Sequence, residues 1–259
     1  MVDERRDELV AALRAAGCVF AEDEAAVLRA SARDAQDLAA MTTRRVAGEP
    51  LEHVVGWAEF AGLRVHVEPG VFVPRRRSEA LVEVAAALVT DGATVLDLCC
   101  GSGALGLAVA ARVPGVTLHA ADVDPVAVAC ARRNLAPVGG EVHEGDLFAA
   151  LPPALAGTLD LVVANVPYVP HDELHLMPHE ARDHEPAAAL DGGLDGLVVL
   201  RRLAVGVASW LAPGGSVVTE VNPTQAGAAL GAFGTGGLAA RAVPAEEDDE
   251  TVVLVGTRR

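Results

Sequence analysis

The chain has 259 residues, 51% of them hydrophobic, so one large core is available, but aromatics are only 3% and that core must be built from Ala, Val and Leu. The formal net charge is −16 and every one of the 20 basic residues is Arg. Such acidity opposes phosphate backbones, and the scarcity of rings removes base-stacking platforms, so a nucleic-acid substrate is disfavoured and a protein partner is electrostatically easier. No apolar run approaches the ~20 residues that span a bilayer. The opening "MVDERRDELV" also lacks the apolar stretch of a signal peptide. A cytoplasmic protein without membrane association, monomeric by preference, is the expectation.

In chain order, residues 1–50 predict a small helical domain, with substrate recognition as its expected role. Leu9, Val10 and Leu13 recur at helical spacing; Ala25, Val27 and Leu28 begin a second segment, with acidic residues in its first turn where the helix dipole favours them. Residues 51–76 alternate around Gly56, Gly62 and Gly70, the pattern of a β-hairpin connector. "PRRRSEALVEVAAALV" then enters an amphipathic helix, with Ser78 as its expected N-cap. From residue 94, "TVLDLCC", "VTLHAADVD", "EVHEGDLF", "LDLVVANV" and "GSVVTEVN" read as strands. "GALGLAVAARV", "PVAVACARRNL" and the long "GLVVLRRLAVGVASWL" read as intervening helices. That alternation predicts an α/β fold with a parallel sheet covered on both faces. Residues 238–259 read as a terminal hairpin around a solvated acidic turn, "AEEDDE". Cys18, Cys99, Cys100 and Cys130 form no CxxC pair and no metal spacing, and are expected to be small packing residues.

The chemistry-bearing residues fall at strand ends. "LDLCCGSGALG" puts Asp97, Gly101, Ser102 and Gly103 at a strand-to-helix turn, where glycines admit positive φ and close ligand approach. A dinucleotide fold would carry Gly-x-Gly-x-x-Gly with a phosphate at the helix N-terminus. Here the form is Asp-x-x-x-Gly-x-Gly, and a carboxylate suits a cationic or zwitterionic ligand better than a pyrophosphate. The second strand ends at Asp122, near the spacing at which an acid meets ribose hydroxyls. The third ends at Asp146, which could accept from an adenine amino group. The fourth, "LVVANVPYVP", stops on Asn165, followed by Val166, Pro167 and Tyr168. Asn and Pro are ordinary turn residues, but open α/β sheets bind ligands at the carboxyl ends of their strands.

Together with "GEPLEHVVGWAEFAGLRV", "VFVPRRRSEALVE", "HEPAAALDGGLDGLVVLRRL" and "LAPGGSVVTEVNPTQ", these motifs resemble S-adenosylmethionine-dependent class I methyltransferases. Within that class the likeness, from about Gly48 to about Gln225, is to the protein-(glutamine-N(5)) methyltransferases of the PrmC/HemK type. The resemblance implies a Rossmann-like catalytic domain over residues 77–259 with a mostly parallel seven-stranded sheet. It implies that S-adenosyl-L-methionine is held by Asp97, Cys99, Gly101, Ser102, Gly103, Asp122, Val123, Asp146, Leu147 and Asn165, with S-adenosyl-L-homocysteine as product. It implies that Asn165, Val166, Pro167 and Tyr168 hold an acceptor amide, a side-chain oxygen and a backbone carbonyl accepting its two N–H bonds. The partner is then a protein with an exposed glutamine, such as a release factor or another translation-related protein. One position departs: the family motif is Asn-Pro-Pro-Tyr, and Val166 replaces the first Pro, so a fixed φ is lost and an N–H appears.

Two other readings stay open. Related Asn/Asp-Pro-Pro-aromatic turns clamp exocyclic amines of nucleic-acid bases, although the acidic charge argues against that acceptor. A non-catalytic cofactor-binding regulator is the third reading, opposed by the intact Asn165 and Tyr168. Beyond the clamp, His171, His175 and His179 are spaced four apart and on an unbroken helix would form one metal-binding face. Pro178 interrupts that spacing and methyl transfer needs no transition metal, so a lid or surface segment without metal is expected there. "PRRRSE" is expected either to border the cofactor mouth or to be a solvated Arg cluster.

Overall fold

The computed structural model describes residues 2–243 and 251–259, with side chains from residue 8 onward. The acidic turn expected at "AEEDDE" lies outside the described residues. The N-terminal region folds as α1 (Val2–Ala15), α2 (Ala21–Ser31), α3 (Ala35–Val46) and α4 (Leu51–Val55). Leu9, Leu13, Ala21, Ala25, Leu28 and Val54 close on one another as a small apolar cluster. The third helix begins at Asp34, whose carboxylate accepts from the Asp37 N–H at 2.8 Å, satisfying one of the donors a helix start leaves orphaned.

The connector differs from its expected form at its start. Residues 51–55 are the short helix α4, stopped by Gly56 at φ 81, and only then does the hairpin run as β1 (Trp57–Phe60) and β2 (Leu63–His66). Ala61 at φ 54 and Gly62 at φ 76 make its two-residue turn, both positive as the favoured hairpin turns require.

The remaining strands are β3 (Thr94–Leu98), β4 (Thr117–Asp122), β5 (Glu141–Glu144), β6 (Leu159–Ala164), β7 (Leu211–Val221), β8 (Leu238–Ala242) and β9 (Val252–Arg258). They form a seven-stranded sheet in the order β5-β4-β3-β6-β7-β9-β8. It is parallel from β5 to β7, and β9 inserts antiparallel between β7 and β8. The helices between them are α5 (Glu79–Ala86), α6 (Ala104–Arg112), α7 (Pro125–Leu135), α8 (His179–His184), α9 (Ala187–Leu190), α10 (Val198–Val207) and α11 (Ala226–Thr235). Asp124 caps α7 by accepting from the Val126 N–H at 2.8 Å, just ahead of the preset φ of Pro125.

Strand alternation sends each buried run to both faces. Val95, Leu161, Val163 and Val218 pack against α5 and α6 on one side, while Leu96, Leu98, Val162 and Ala164 pack against α10 and α11 on the other. The strand order reverses between β3 and β6, so their carboxyl ends leave the crevice where such sheets take ligands. No helix among the described residues is long and apolar enough to cross a membrane.

Candidate active site

A cavity opens at that crevice, floored by residues 99–102, 121–124, 145–147 and 165–169. Phe60, Val71 and Phe72 from the connector and Met177, Pro186 and Leu190 from the strap after β6 close over it. The fold therefore brings Cys99, Gly101, Ser102, Asp122, Val123, Asp146, Leu147, Asn165, Val166, Pro167 and Tyr168 to one space. Asp97 and Gly103, expected beside them, are not among its lining residues.

The reason is local packing. Asp97 shares the face of Val95 and is fully buried beneath α6, where Oδ2 accepts from the Gly106 N–H at 2.8 Å. Burial pushes its carboxyl up to about 7; the Gly106 N–H opposes the shift and the charge of Asp122 adds to it. A Cβ on Gly106 would sit 3.0 Å from Asp97 Cβ, so glycine is what lets α6 close on β3. Gly103, at φ 78, likewise faces Leu135, whose Cγ would lie 3.1 Å from an added Cβ. At Gly101 (φ 54) the nearest atom to an added Cβ is Phe72 Cβ at 4.0 Å, which leaves the backbone open to a ligand. Burial raises the thiols of Cys99 and Cys100, with neighbouring carboxylates adding to the effect, which favours the protonated form of both at neutral pH.

Asp122 braces the same turn from β4: Oδ2 accepts from the Gly101 N–H at 2.8 Å and Oδ1 from the Asp124 N–H at 3.0 Å. Burial pushes its carboxyl up, and these N–H bonds pull it back. Each carboxylate oxygen keeps further lone-pair capacity, so Asp122 can also accept from a vicinal diol. Val123 beside it is 60% exposed, an apolar ledge for a flat ring. Asp146 is held by Arg202 Nη2 at 2.6 Å, an exposed pair weak enough to exchange for a ligand donor. An acid for a diol, a ledge for a ring and a glycine turn with room fit a nucleoside-bearing ligand.

The β6 side of the cavity is built around Tyr168. Its hydroxyl accepts from Arg77 Nη2 at 3.2 Å, and its carbonyl accepts from Gln225 Nε2 at 2.8 Å. A Cβ on Gly196 would lie 2.2 Å from that carbonyl oxygen and 2.2 Å from Gln225 Nε2, which gives "LDGGLDG" a physical reason: bare backbone packs directly against the turn. Val166 is buried and faces the α10 side, while the Asn165 Nδ2 amide donates to Ser78 Oγ at 3.3 Å. Ser78 is not the expected cap: it makes no capping hydrogen bond and donates instead to Glu220 Oε1 at 2.9 Å. A second cavity adjoins the first, bordered by Arg77, Tyr168, Val169, Met177 and Asn222 among others, so that Tyr168 walls both.

Two glutamates tie the strap between β6 and α10 to the connector and to α3. Glu185, its side chain fully buried, takes Arg75 Nη2 on both oxygens at 2.7 Å, and Glu180 meets Arg45 of α3 at 2.6 Å. Stripping the partner from a buried carboxylate costs about 3–5 kcal/mol, against roughly 0–1 kcal/mol for exposed pairs such as His179–Asp183, so Arg75 is the anchor. The evenly spaced histidines do not share a helix face. His171 and His175 lie in a 3₁₀ turn ended by Pro178, and His179 opens α8. His171 pairs with Asp191 at 2.7 Å. Among the described residues, metal-ligand spacing occurs instead at His119, Glu141 and His143 on the β4–β5 edge, where the two rings already share a 3.2 Å hydrogen bond. None of these three lines the cavity.

A parallel sheet of this order, finished by an inserted antiparallel strand and holding a nucleoside-fitted cavity at its switch point, defines a class I methyltransferase. The chain matches the Methyltransferase small domain family over residues 62–193. It is 41% identical over 191 residues to the release factor glutamine methyltransferase of Streptomyces coelicolor, covering 72% of this chain and 68% of that protein. It is 39% identical over 184 residues to the 4-amino-L-phenylalanine/4-methylamino-L-phenylalanine methyltransferase of Streptomyces pristinaespiralis, covering 68% of this chain and 62% of that one. A methyltransferase structure from Pyrococcus furiosus superposes with a TM-score of 0.57 at 17% identity, over 76% of this chain and 89% of that one, a likeness of fold. The chain belongs to the release factor glutamine methyltransferase family of S-adenosylmethionine-dependent enzymes.

Replacing Asp122 by Ala is expected to weaken S-adenosylmethionine binding by about 1–3 kcal/mol, the worth of charge-assisted hydrogen bonds. Calorimetry reads this directly. Unchanged affinity would leave Asp122 as a brace for the Gly101 turn and nothing more.

Proposed function

We propose that the protein methylates the side-chain amide nitrogen of a glutamine in a release factor. One observation carries the reading beyond family membership: the Asn165–Tyr168 turn at the end of β6 and Asp122 at the end of β4 line a single cavity, so acceptor and cofactor groups meet. S-adenosylmethionine, when bound, supplies a methyl group on a positively charged sulfur. An amide nitrogen is a poor nucleophile because its lone pair is delocalised, and the residues of the turn compensate. The Asn165 side-chain oxygen and the Val166 carbonyl accept the two N–H bonds, which raises electron density on nitrogen and aims it. Pro167 holds the backbone extended at Val166, so the replacement of the family proline keeps the carbonyl available. The Tyr168 ring stacks on the planar acceptor, which enters from the second cavity.

A second reading has one observation in its favour: the arylamine methyltransferase of Streptomyces pristinaespiralis is nearly as similar as the release-factor enzymes, so this scaffold also serves a relative named for a small amine. Purified protein and labelled S-adenosylmethionine, added to a lysate depleted of this protein, separate the cases. Label is expected in the protein fraction, resistant to nuclease and mapping by mass spectrometry to a glutamine amide. Label in the small-molecule fraction selects the amine reading, and label on a nucleobase overturns both. Cofactor binding without transfer to any fraction would make the protein a regulator.

A further inference from the structure

β7 reads "LAPGGSVVTEV", and its single charged residue, Glu220, has no solvent exposure. Two residues after Val218, it faces the α5 side of the sheet, with Val253 of β9 opposite it in the pairing. Ser78, which leads into α5, spends its one hydroxyl proton on Glu220 Oε1 at 2.9 Å. Only lone pairs remain on Ser78 Oγ to face Asn165, and the amide nitrogen meets them at 3.3 Å.

A carboxylate is a costly way to hold one serine. Burial pushes the Glu220 carboxyl up; Ser78, the charge of Arg77 and the approach of Asn165 and Tyr168 favour its ionised form. Oε2 is nonetheless left without a hydrogen-bond partner among the described residues. What a carboxylate offers over an amide is one-sidedness, since it accepts and never donates. The two ends of an Asn carboxamide have the same shape, and only their hydrogen-bond partners choose between them.

We infer that Glu220 is a positioning residue that, acting through Ser78, holds the Asn165 carboxamide with its nitrogen inward and its oxygen toward the acceptor. The inference rests on the glutamine-methylating reading above. Its consequence is specificity: an oxygen at that point takes an acceptor bearing N–H and rejects a carboxylate, so glutamine is separated from glutamate. In a Glu220→Gln variant the polar chain can reverse, the new side-chain amide donating to Ser78 and Ser78 to Asn165 Oδ1. The Asn165 amide then faces the cavity with its nitrogen, where it can bind a glutamate.

The test uses the full chain with a release factor as acceptor, and the same factor with its methylated glutamine changed to glutamate as inhibitor. Glu220→Gln should lower kcat about tenfold with KM for the cofactor near wild type. It should also bind the glutamate-bearing factor about tenfold more tightly than wild type does. Melting temperature should hold or rise, because a buried carboxylate with one oxygen left without a partner gives way to a neutral group. Ser78→Ala, which breaks the relay without touching the carboxylate, should likewise lower kcat and weaken the rejection of glutamate. An active wild type with Glu220→Gln unchanged in kcat and in glutamate rejection overturns the assignment, as does a loss of kcat that merely tracks a fall in melting temperature in both variants. A wild type that methylates no glutamine overturns the reading beneath it and the inference with it.

Discussion

Replacing Asn165 by Ala is expected to lower methyl transfer about 10²–10³-fold, the cost of deleting one preorganised hydrogen-bonding group at a reacting centre. Cofactor affinity should stay within about twofold, because the groups that fit the nucleoside, Asp122, Val123 and the Gly101 turn, stand at the ends of β3 and β4 rather than on β6. The loss should appear in kcat, since the hydrogen bonds matter most when the nitrogen lone pair is being localised for attack. Labelled-methyl transfer under saturating cofactor, with calorimetry on the same preparation, measures both halves. Equal losses of binding and transfer would mean that Asn165 is a strand terminator tied to Ser78, and the acceptor clamp would have to be sought elsewhere.

Replacing Gly196 by Ala is expected to have an effect of similar size by a different route. Gly196 sits at φ 72, a left-handed backbone that costs a non-glycine residue roughly 1–2 kcal/mol. The new methyl would also stand 2.2 Å from the Tyr168 carbonyl oxygen, which is backbone and cannot rotate away. The turn must move, and with it the ring and the carbonyl proposed to place the acceptor, so transfer should fall about 10²-fold, the scale set by a 1 Å misplacement. Stability should fall by about 3 kcal/mol, lowering the melting temperature by roughly 6–12 °C. Gly214→Ala is the control: φ is 81 there, but nothing lies within 4 Å of an added Cβ, so only the backbone cost applies. If both variants melt alike and transfer alike, the close approach of the glycine segment to Tyr168 has no mechanical role.

Much of this could be read along the chain because the relevant signals are local. Apolar runs bounded by Gly, Asn and Pro marked β3, β4, β6 and β7, flanking glycines marked the polar edge strand β5, and a strand followed by a turn must end at the same sheet edge as its parallel neighbours. Asp122, Asp146 and Asn165 are far apart in sequence yet face one cavity for that reason alone. Ser78 misled because local rules name a preference that a partner elsewhere can override. Ser78 precedes a helix like any N-cap, but a carboxylate 142 positions away accepts its hydrogen bond. The histidines keep their spacing, and Pro178 divides them between two short turns, as its place in the sequence predicts.

By itself, then, the order of amino acids determined the α/β class, the edge of the sheet that carries the site, and the residue types gathered there, since period, turn chemistry and parallel connection are properties of neighbouring residues. Which of those residues face the cavity was decided by tertiary packing. Asp97 carries the same carboxylate as Asp122, but α6 closes over it across Gly106 and leaves it beneath the turn. Glu220 could have been noticed as one charge inside the buried run "SVVTEV", yet its partner Ser78 lies on the far side of the chain. Only the folding of β7 against α5 brings the two together. A charge in a strand becomes interpretable when the groups that satisfy it are known, and those are chosen by the three-dimensional packing rather than by proximity in sequence.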